Sequence, residues 1–263
     1  MKRSSGVRVA ATVAVSALSL ALVTGCGGGS VDSKESKESD GQATTAAKAL
    51  SAAELEKLVL AKGDVDGYTV GSTLDNERFA ASKDKLTVTD TACEPVAHVV
   101  TGFVPGDSAT DTSRRVTEEK KPTDTASKAL EDLSEEEFEE AFGDALSVDL
   151  TLVSLSSYEG DGATATMKSL SEAVDGCAGG FTVKSGKEEA EYSKVASEDA
   201  SGAGDESVAF AVTGEENSVV HGAVVRHGNT IATYYTVNMG KATTGGKYTV
   251  PAAVIDAQAA KLK

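Results

Sequence analysis

The chain has 263 residues, with 41 Asp and Glu against 25 Lys and Arg, so its formal net charge is −16 at pH 7. A hydrophobic fraction of 40% is too high for a wholly disordered chain and predicts a buried core. The acidic balance repels phosphate backbones, and it therefore excludes nucleic-acid binding.

The N-terminal segment has the pattern of a bacterial lipoprotein signal peptide. Lys2 and Arg3 precede a mostly apolar run over 9–23, which is shorter than the roughly 20 residues that a membrane span needs. Small residues then lead to Cys26, and this junction resembles the lipobox, in which the cysteine thiol receives diacylglycerol. We predict a signal peptide over 1–25 and a lipid anchor on Cys26. The alternative is an ordinary secretory signal followed by an incidental cysteine.

A flexible tether is predicted after the signal peptide. Residues 26–48 are rich in Gly, Ser, Lys, Glu and Asp, and such a composition cannot form a core. Residues 49–263 are then predicted to form a single domain.

Helical periodicity recurs through this domain. The first helix starts with a capping box, Ser51 and Glu54, and is followed by a turn that carries Asp64 and Asp66. A calcium loop is the alternative interpretation of that turn. The helix over 127–142 is strongly acidic, which indicates a solvated face or, as the alternative, a metal or cationic-partner site. Helices are predicted over 49–61, 93–103, 127–142, 163–174 and from Pro251 onward.

Strands are indicated by alternating apolar residues near 148–152, 181–183 and 208–212, and by a short strand near Arg115 inside an otherwise loop-like segment. Residues 219–237 form a predicted hairpin around Gly228-Asn229, a favoured two-residue turn. That turn pairs His227 with Thr230 and Val224 with Thr233. Helices and antiparallel hairpins in this order predict an α+β domain with one face of its sheet covered.

Two cysteines remain once Cys26 is lipidated. An even pair in an exported protein predicts a disulfide between Cys93 and Cys177. The alternative is that one of the two is a nucleophilic cysteine paired with His98.

No residue pattern marks a catalytic, cofactor or metal site. His221 and His227 lie on one face of the predicted strand but about 20 Å apart, too far to share a metal ion. We predict solvent-facing or turn positions for them. Nucleotide-binding loops, metalloprotease motifs and nucleophile elbows do not occur.

Several structural motifs occur together in the domain. They are Cys93 before a helix, Cys177 between a helix and a strand, Gly204-Asp205-Glu206 before a strand, Arg226-His227-Gly228-Asn229 in a hairpin, and an amphipathic C-terminal helix. In these features the domain resembles the extracellular sensor domain of mycobacterial PknH-type kinases and its relatives among actinobacterial lipoproteins.

The resemblance implies a curved antiparallel β-sheet packed against amphipathic helices, with a cleft that binds a ligand. The chain departs from the family in having one disulfide instead of two, no kinase domain and an acidic insertion over about 106–140. No motif in this chain marks the residues of the cleft.

We therefore expect a lipid-anchored ligand-binding or sensing module on the extracytoplasmic face of the cell membrane, without catalytic activity or cofactor. Its expected partners are the membrane, through Cys26, and an unknown small molecule or envelope protein. One alternative is a protein-interaction or scaffold lipoprotein, in which the acidic helix meets a basic partner. An envelope hydrolase is the other.

Overall fold

A seven-stranded antiparallel sheet forms the centre of the structure. The structure is a computed structural model, and it describes residues 47–73, 78–120, 134, 138, 143, 146–244 and 246–263. Neighbouring strands of this sheet are paired antiparallel throughout. In spatial order the strands are β1 (Tyr68–Ser72), β3 (Thr110–Glu118), β4 (Leu150–Ser157), β10 (Thr230–Val237), β9 (Val219–His227), β8 (Glu206–Thr213) and β7 (Lys194–Glu198).

The structure also describes a smaller sheet, five bounded α-helices and three short 3₁₀ helices (Lys83–Lys85, Thr91–Cys93 and Glu215–Asn217). The small sheet has the order β2 (Thr87–Val88), β5 (Phe181–Ser185), β6 (Glu188–Tyr192). The helices are α1 (Ala52–Leu58), α2 (Glu94–Val100), α3 (Gly162–Gly176), α4 (Met239–Thr244) and α5 (Ala252–Lys261). The predicted α+β class, with an antiparallel sheet packed against helices, is confirmed.

The capping box of the first helix forms as predicted. The backbone amide of Ser51 donates a hydrogen bond to Glu54 Oε2 at 2.8 Å, and the Ser51 hydroxyl donates to the same oxygen at 2.6 Å. The side chain of Glu54 therefore satisfies a backbone donor that the start of a helix otherwise leaves unpaired.

The predicted hairpin also forms in the predicted register. His227 pairs with Thr230 and Val224 with Thr233. Gly228 has a φ of +60°, whereas Asn229 has a negative φ. A positive φ at the first central residue alone is the geometry of a type II′ turn, which glycine adopts without strain.

The first face of the sheet, which carries Phe210, Val224 and Ile231, packs against α2 and α3 in one hydrophobic cluster. The predicted disulfide is confirmed beside it. Cys93 and Cys177 are bonded, with their Cα atoms 5.8 Å apart, so the bond joins the start of α2 to the end of α3.

The second face, which carries Ala223, Val225 and Tyr234, is covered as well, so the prediction of a single covered face is wrong. α1 and α5 bury Leu55 and Ile255 against it in a second cluster. Polar residues of β4 are buried beneath the covered faces, and hydrogen bonds across strands satisfy their hydroxyls. Thr151 Oγ1 is 2.9 Å from Thr236 Oγ1, and Ser154 Oγ is 3.0 Å from Ser113 Oγ.

The segment expected to be a loop with a short strand near Arg115 is a nine-residue strand, β3, paired with β1 on one side and β4 on the other. Its many Thr, Ser and charged residues conceal the strand because tertiary pairing, rather than local apolar alternation, holds it. Part of the segment that the family resemblance treats as an insertion is thus built into the sheet. The acidic helix predicted over 127–142 lies almost entirely outside the described residues and stays a prediction.

The described chain begins with an extended segment tied to one end of the sheet. Asn229 Nδ2 donates to the carbonyl oxygen of Lys48 at 2.7 Å, and the amide of Leu50 donates to Ser157 Oγ at 2.9 Å. The tether and signal peptide over 1–48 fall mostly outside the described residues, so the predicted domain boundaries stay predictions. Among the helices that the structure describes, none has the length and apolar character to cross a membrane.

Candidate functional site

A groove opens on the second face of the sheet, at the side where β7, β8 and β9 lie. It consists of two adjoining cavities of about 570 and 330 Å³, which share Glu198 and Thr249. These volumes fall in the range of small-molecule sites. The strands form the floor, and the segment over 248–255 forms the opposite wall.

The groove has depth because its floor is made of small side chains. Ala209 pairs directly with Ala223, and both line the larger cavity. On the wall side, Val250 and Ile255 add apolar surface. A large residue at either alanine would fill the space, so the local choice of alanine keeps the groove open.

Gly222 lines the same cavity, and its lack of a side chain serves the opposite face of the sheet. A Cβ placed there would lie 2.6 Å from Cζ of Phe210, which is closer than carbon atoms approach. Phe210, paired with Gly222 across the strands, packs the end of its ring against the glycine in the first hydrophobic cluster. A side chain at position 222 would therefore disturb the packing of Phe210 on the face opposite the groove.

The buried polar centre of the groove is a pair formed by His221 and Glu198. His221 is only 6% exposed, and its Nδ1 lies 2.9 Å from Glu198 Oε2. The Tyr248 ring meets the imidazole edge-on, with 4.5 Å between centroids. Both His221 and Tyr248, which line the smaller cavity, are thereby held in one orientation.

Tyr248 has a second anchor in the sheet. Its hydroxyl donates a hydrogen bond to the carbonyl oxygen of Val219. Burial raises the pKa of Tyr248 above its ordinary value, so the phenol stays protonated and continues to donate near neutral pH. This bond fixes the wall of the smaller cavity to the start of β9.

Charged groups of opposite sign line the two ends of the groove. Asp199 lines the larger cavity alone, and Glu198 lines both cavities. Lys241 and Lys247 line the smaller one, and Lys241 Nζ also lies 3.9 Å from Asp149 Oδ1. The groove thus runs from an acidic end to a basic end.

The prediction of a solvent-facing position for His221 is wrong, because Glu198, Tyr248 and the neighbouring strand cover it. His227 does lie beside the hairpin turn, half-buried, and burial lowers its pKa. In the described part of the chain its Nε2 has no hydrogen-bond partner. The two histidines are not brought together.

Other residues singled out in the sequence lie away from the groove. Cys26 is outside the described residues. The disulfide removes the free thiol that a nucleophilic cysteine requires, so the pairing with His98 is excluded. Asp64 accepts hydrogen bonds from the amide of Ala61 and from Lys261 Nζ, at 2.7 and 2.6 Å, which shows how its turn is held.

His98 is half-buried on α2, and burial lowers its pKa to about 4, with a smaller contribution from Lys83. Its Nδ1 has no partner within the described residues. In that same part of the chain, His, Cys, Asp and Glu side chains nowhere form a group of three or more able to hold a metal ion.

Sequence reasoning missed Glu198, Tyr248 and the groove itself. Glu198 comes from an edge strand and Tyr248 from a segment after α4, so no local motif contains both. One feature of the sequence does point to the groove. Ala209, Ala211 and Ala223 share one face by strand parity, and a row of small residues on a sheet face leaves room for something else to bind.

No protein-family model matches this chain, and no curated protein matches its sequence. A solved structure, the extracellular domain of PknH from Mycobacterium tuberculosis, aligns with 82% of this chain and 95% of that chain, with 12% identity and a TM-score of 0.48. The chain is similar to that domain in shape, and the functional argument rests on the groove instead. The lipoprotein character and the actinobacterial source stay predictions.

Proposed function

We propose that this protein is a lipid-anchored extracytoplasmic module that binds a small molecule in the groove of its second sheet face, without transforming it. One observation carries the proposal: a preformed groove, floored by alanines, with His221, Glu198 and Tyr248 fixed at its centre. Apolar walls with a few oriented polar groups are the usual composition of small-molecule sites.

The location and anchoring parts of the proposal rest on the sequence. The predicted signal peptide over 1–25 implies export, and diacylglycerol on Cys26 would supply the two acyl chains that stable anchoring requires. A disulfide between Cys93 and Cys177 suits an oxidising compartment outside the cytoplasm.

Native mass spectrometry of the full chain, purified from an exporting host in mild detergent, tests ligand binding. The expected result is a reproducible extra mass that disappears on denaturation. The same compound is then added back to the protein to test whether it is recovered unchanged. Its conversion into a product would contradict the non-catalytic part of the proposal.

Two matched variants locate the bound mass. Ala209→Trp fills the groove and should abolish the adduct. Ala165→Trp places the same ring on the exposed side of α3, away from the groove, and should keep it. An adduct that survives Ala209→Trp in folded protein contradicts the proposed site. Apo protein throughout, together with no thermal shift from any compound of a small-molecule library, contradicts ligand binding.

A further inference from the structure

The two ends of the groove differ in charge in a way that specifies a class of ligand. Among the described residues, those lining the larger cavity include Glu198 and Asp199 but no Lys or Arg. Those lining the smaller cavity include Lys241 and Lys247 as well as Glu198, which both cavities share. Asp199 is the carboxylate that lines only the larger cavity. A ligand that spans both cavities and satisfies both ends carries a positive group at one end and a negative group at the other.

The Glu198 carboxylate can accept further hydrogen bonds from a ligand although it already pairs with His221. A carboxylate offers about four lone-pair sites, and the structure shows one bond to the imidazole, made by Oε2. The Glu198 side chain is 28% exposed. It can therefore bond a ligand ammonium group while it continues to orient His221.

The length of the groove fits a short extended chain. It follows β9 from Ala223 to Val219, and four residues of strand span about 13 Å at roughly 3.3 Å per residue. An extended peptide advances by a similar amount per residue. About four residues therefore separate the acidic end from the basic end.

The lining between the charged ends fits peptide groups and small side chains. Ala209 and Ala223 form a flat apolar floor, and Val250 and Ile255 an apolar wall. The hydroxyls of Ser201 and Thr249 line the same cavity and can donate to, or accept from, peptide groups. Bulky ligand side chains would meet the floor, whereas methyl-sized ones fit above it.

We propose that the groove binds a short zwitterionic peptide of about four small residues, with its free ammonium group at Glu198 and Asp199 and its free carboxylate at Lys241 and Lys247. This inference rests on the proposed function, because it names the ligand class of the same site.

Isothermal titration calorimetry of the full chain in detergent tests the assignment with three probes: tetra-alanine, its N-acetyl form and its C-terminal amide. Tetra-alanine should bind, and each cap should weaken binding at least tenfold because it removes one charge. Equal affinity for the three probes would overturn the charge assignment. No binding of any probe would overturn the peptide assignment.

Two charge variants assign each end of the peptide. Lys247→Gln should weaken tetra-alanine binding and remove the preference for a free carboxylate over the amide. Asp199→Asn should act in the same way on the ammonium end. Lys187→Gln and Asp175→Asn neutralise exposed charges elsewhere and should leave all affinities unchanged. Charge variants that behave like these controls would overturn the proposed orientation.

The failure of this inference is distinguishable from failure of the proposed function. If no alanine peptide binds but a native adduct is still lost in Ala209→Trp, the groove binds another class of ligand. If capped and free peptides bind equally and Ala209→Trp abolishes the binding of both kinds, the groove binds peptides without recognising their charged ends.

Discussion

His221 and Glu198 stand 23 positions apart in the sequence, yet His221 Nδ1 lies 2.9 Å from Glu198 Oε2. Strand pairing from β7 through β8 to β9 brings them together. The contact places a hydrogen-bonded polar pair at the centre of a groove that is otherwise largely lined by small and apolar side chains. Together with the alanine floor, it is the observation on which the proposed small-molecule site depends.

Replacing Glu198 with Ala is expected to lower the free energy of unfolding by about 1–3 kcal/mol, because a buried imidazole loses its partner. Urea denaturation at neutral pH measures the change. Glu189→Ala is the matched control, since Glu189 pairs with Lys184 in an exposed cross-strand contact and should cost less than about 1 kcal/mol. Equal effects of the two variants would show that the His221 pair contributes no more than a surface contact.

Gly222→Ala is expected to destabilise the fold by about 1–3 kcal/mol, because its Cβ overpacks the ring of Phe210. Gly176→Ala is the control: its Cβ meets nothing within 4 Å, and in a helix alanine is expected to be neutral or stabilising. Thermal or urea unfolding compares the two. Phe210→Leu in the Gly222→Ala background should recover part of the loss, and a further loss instead would contradict the overpacking explanation.

Removal of the disulfide by Cys93→Ala with Cys177→Ala should lower stability by up to roughly 4–5 kcal/mol, given a sequence separation of 84 residues and the entropy of closing such a loop. Thiol titration of the unfolded, unreduced wild-type protein should find neither cysteine free. Two reactive thiols at these positions would contradict the bond.

The stability of the protein should fall as the pH decreases from about 6.5 toward 4. The pKa of His98 is about 4 in the folded state and about 6.5 in an unfolded chain. Between these values the unfolded state binds more protons, so acidification favours unfolding, by up to about 2 kcal/mol at pH 5. Lys83 adds to the lowering of this pKa and Asp107 opposes it.

His98→Gln should flatten the decline in unfolding free energy between pH 6.5 and 5, as measured by urea denaturation at a series of pH values. Part of the slope should remain, because His227 also has a lowered pKa. His227→Gln is the companion variant. An unchanged slope in the double variant would assign the acid sensitivity to other groups.

Cys26→Ser should release the protein from the membrane fraction, because the predicted lipid attachment is lost. Fractionation of the exporting host measures this, and mass spectrometry of the wild-type protein should show cleavage before Cys26 and an added diacylglycerol. A wild-type protein that is secreted without lipid would support the ordinary secretory signal instead.

The sequence by itself predicted those elements whose information is local. The capping box at Ser51, the apolar stripe of α3 and the turn at Gly228-Asn229 each depend on residues within a few positions of one another. Short-range sterics and hydrogen bonding decide such elements, and the structure confirms them. The disulfide could be predicted because two cysteines allow only one pairing.

Only the tertiary structure decided which surfaces are covered and which residues meet. Thr151 and Ser154 are polar yet buried, and partners 85 and 41 residues away satisfy their hydroxyls inside the sheet. His221 is likewise buried by residues distant in the sequence, because Glu198 and Tyr248, which contact it, belong to other elements. A strand's alternation tells which residues share a face, whereas the cover over that face is supplied by distant segments whose docking no local pattern encodes.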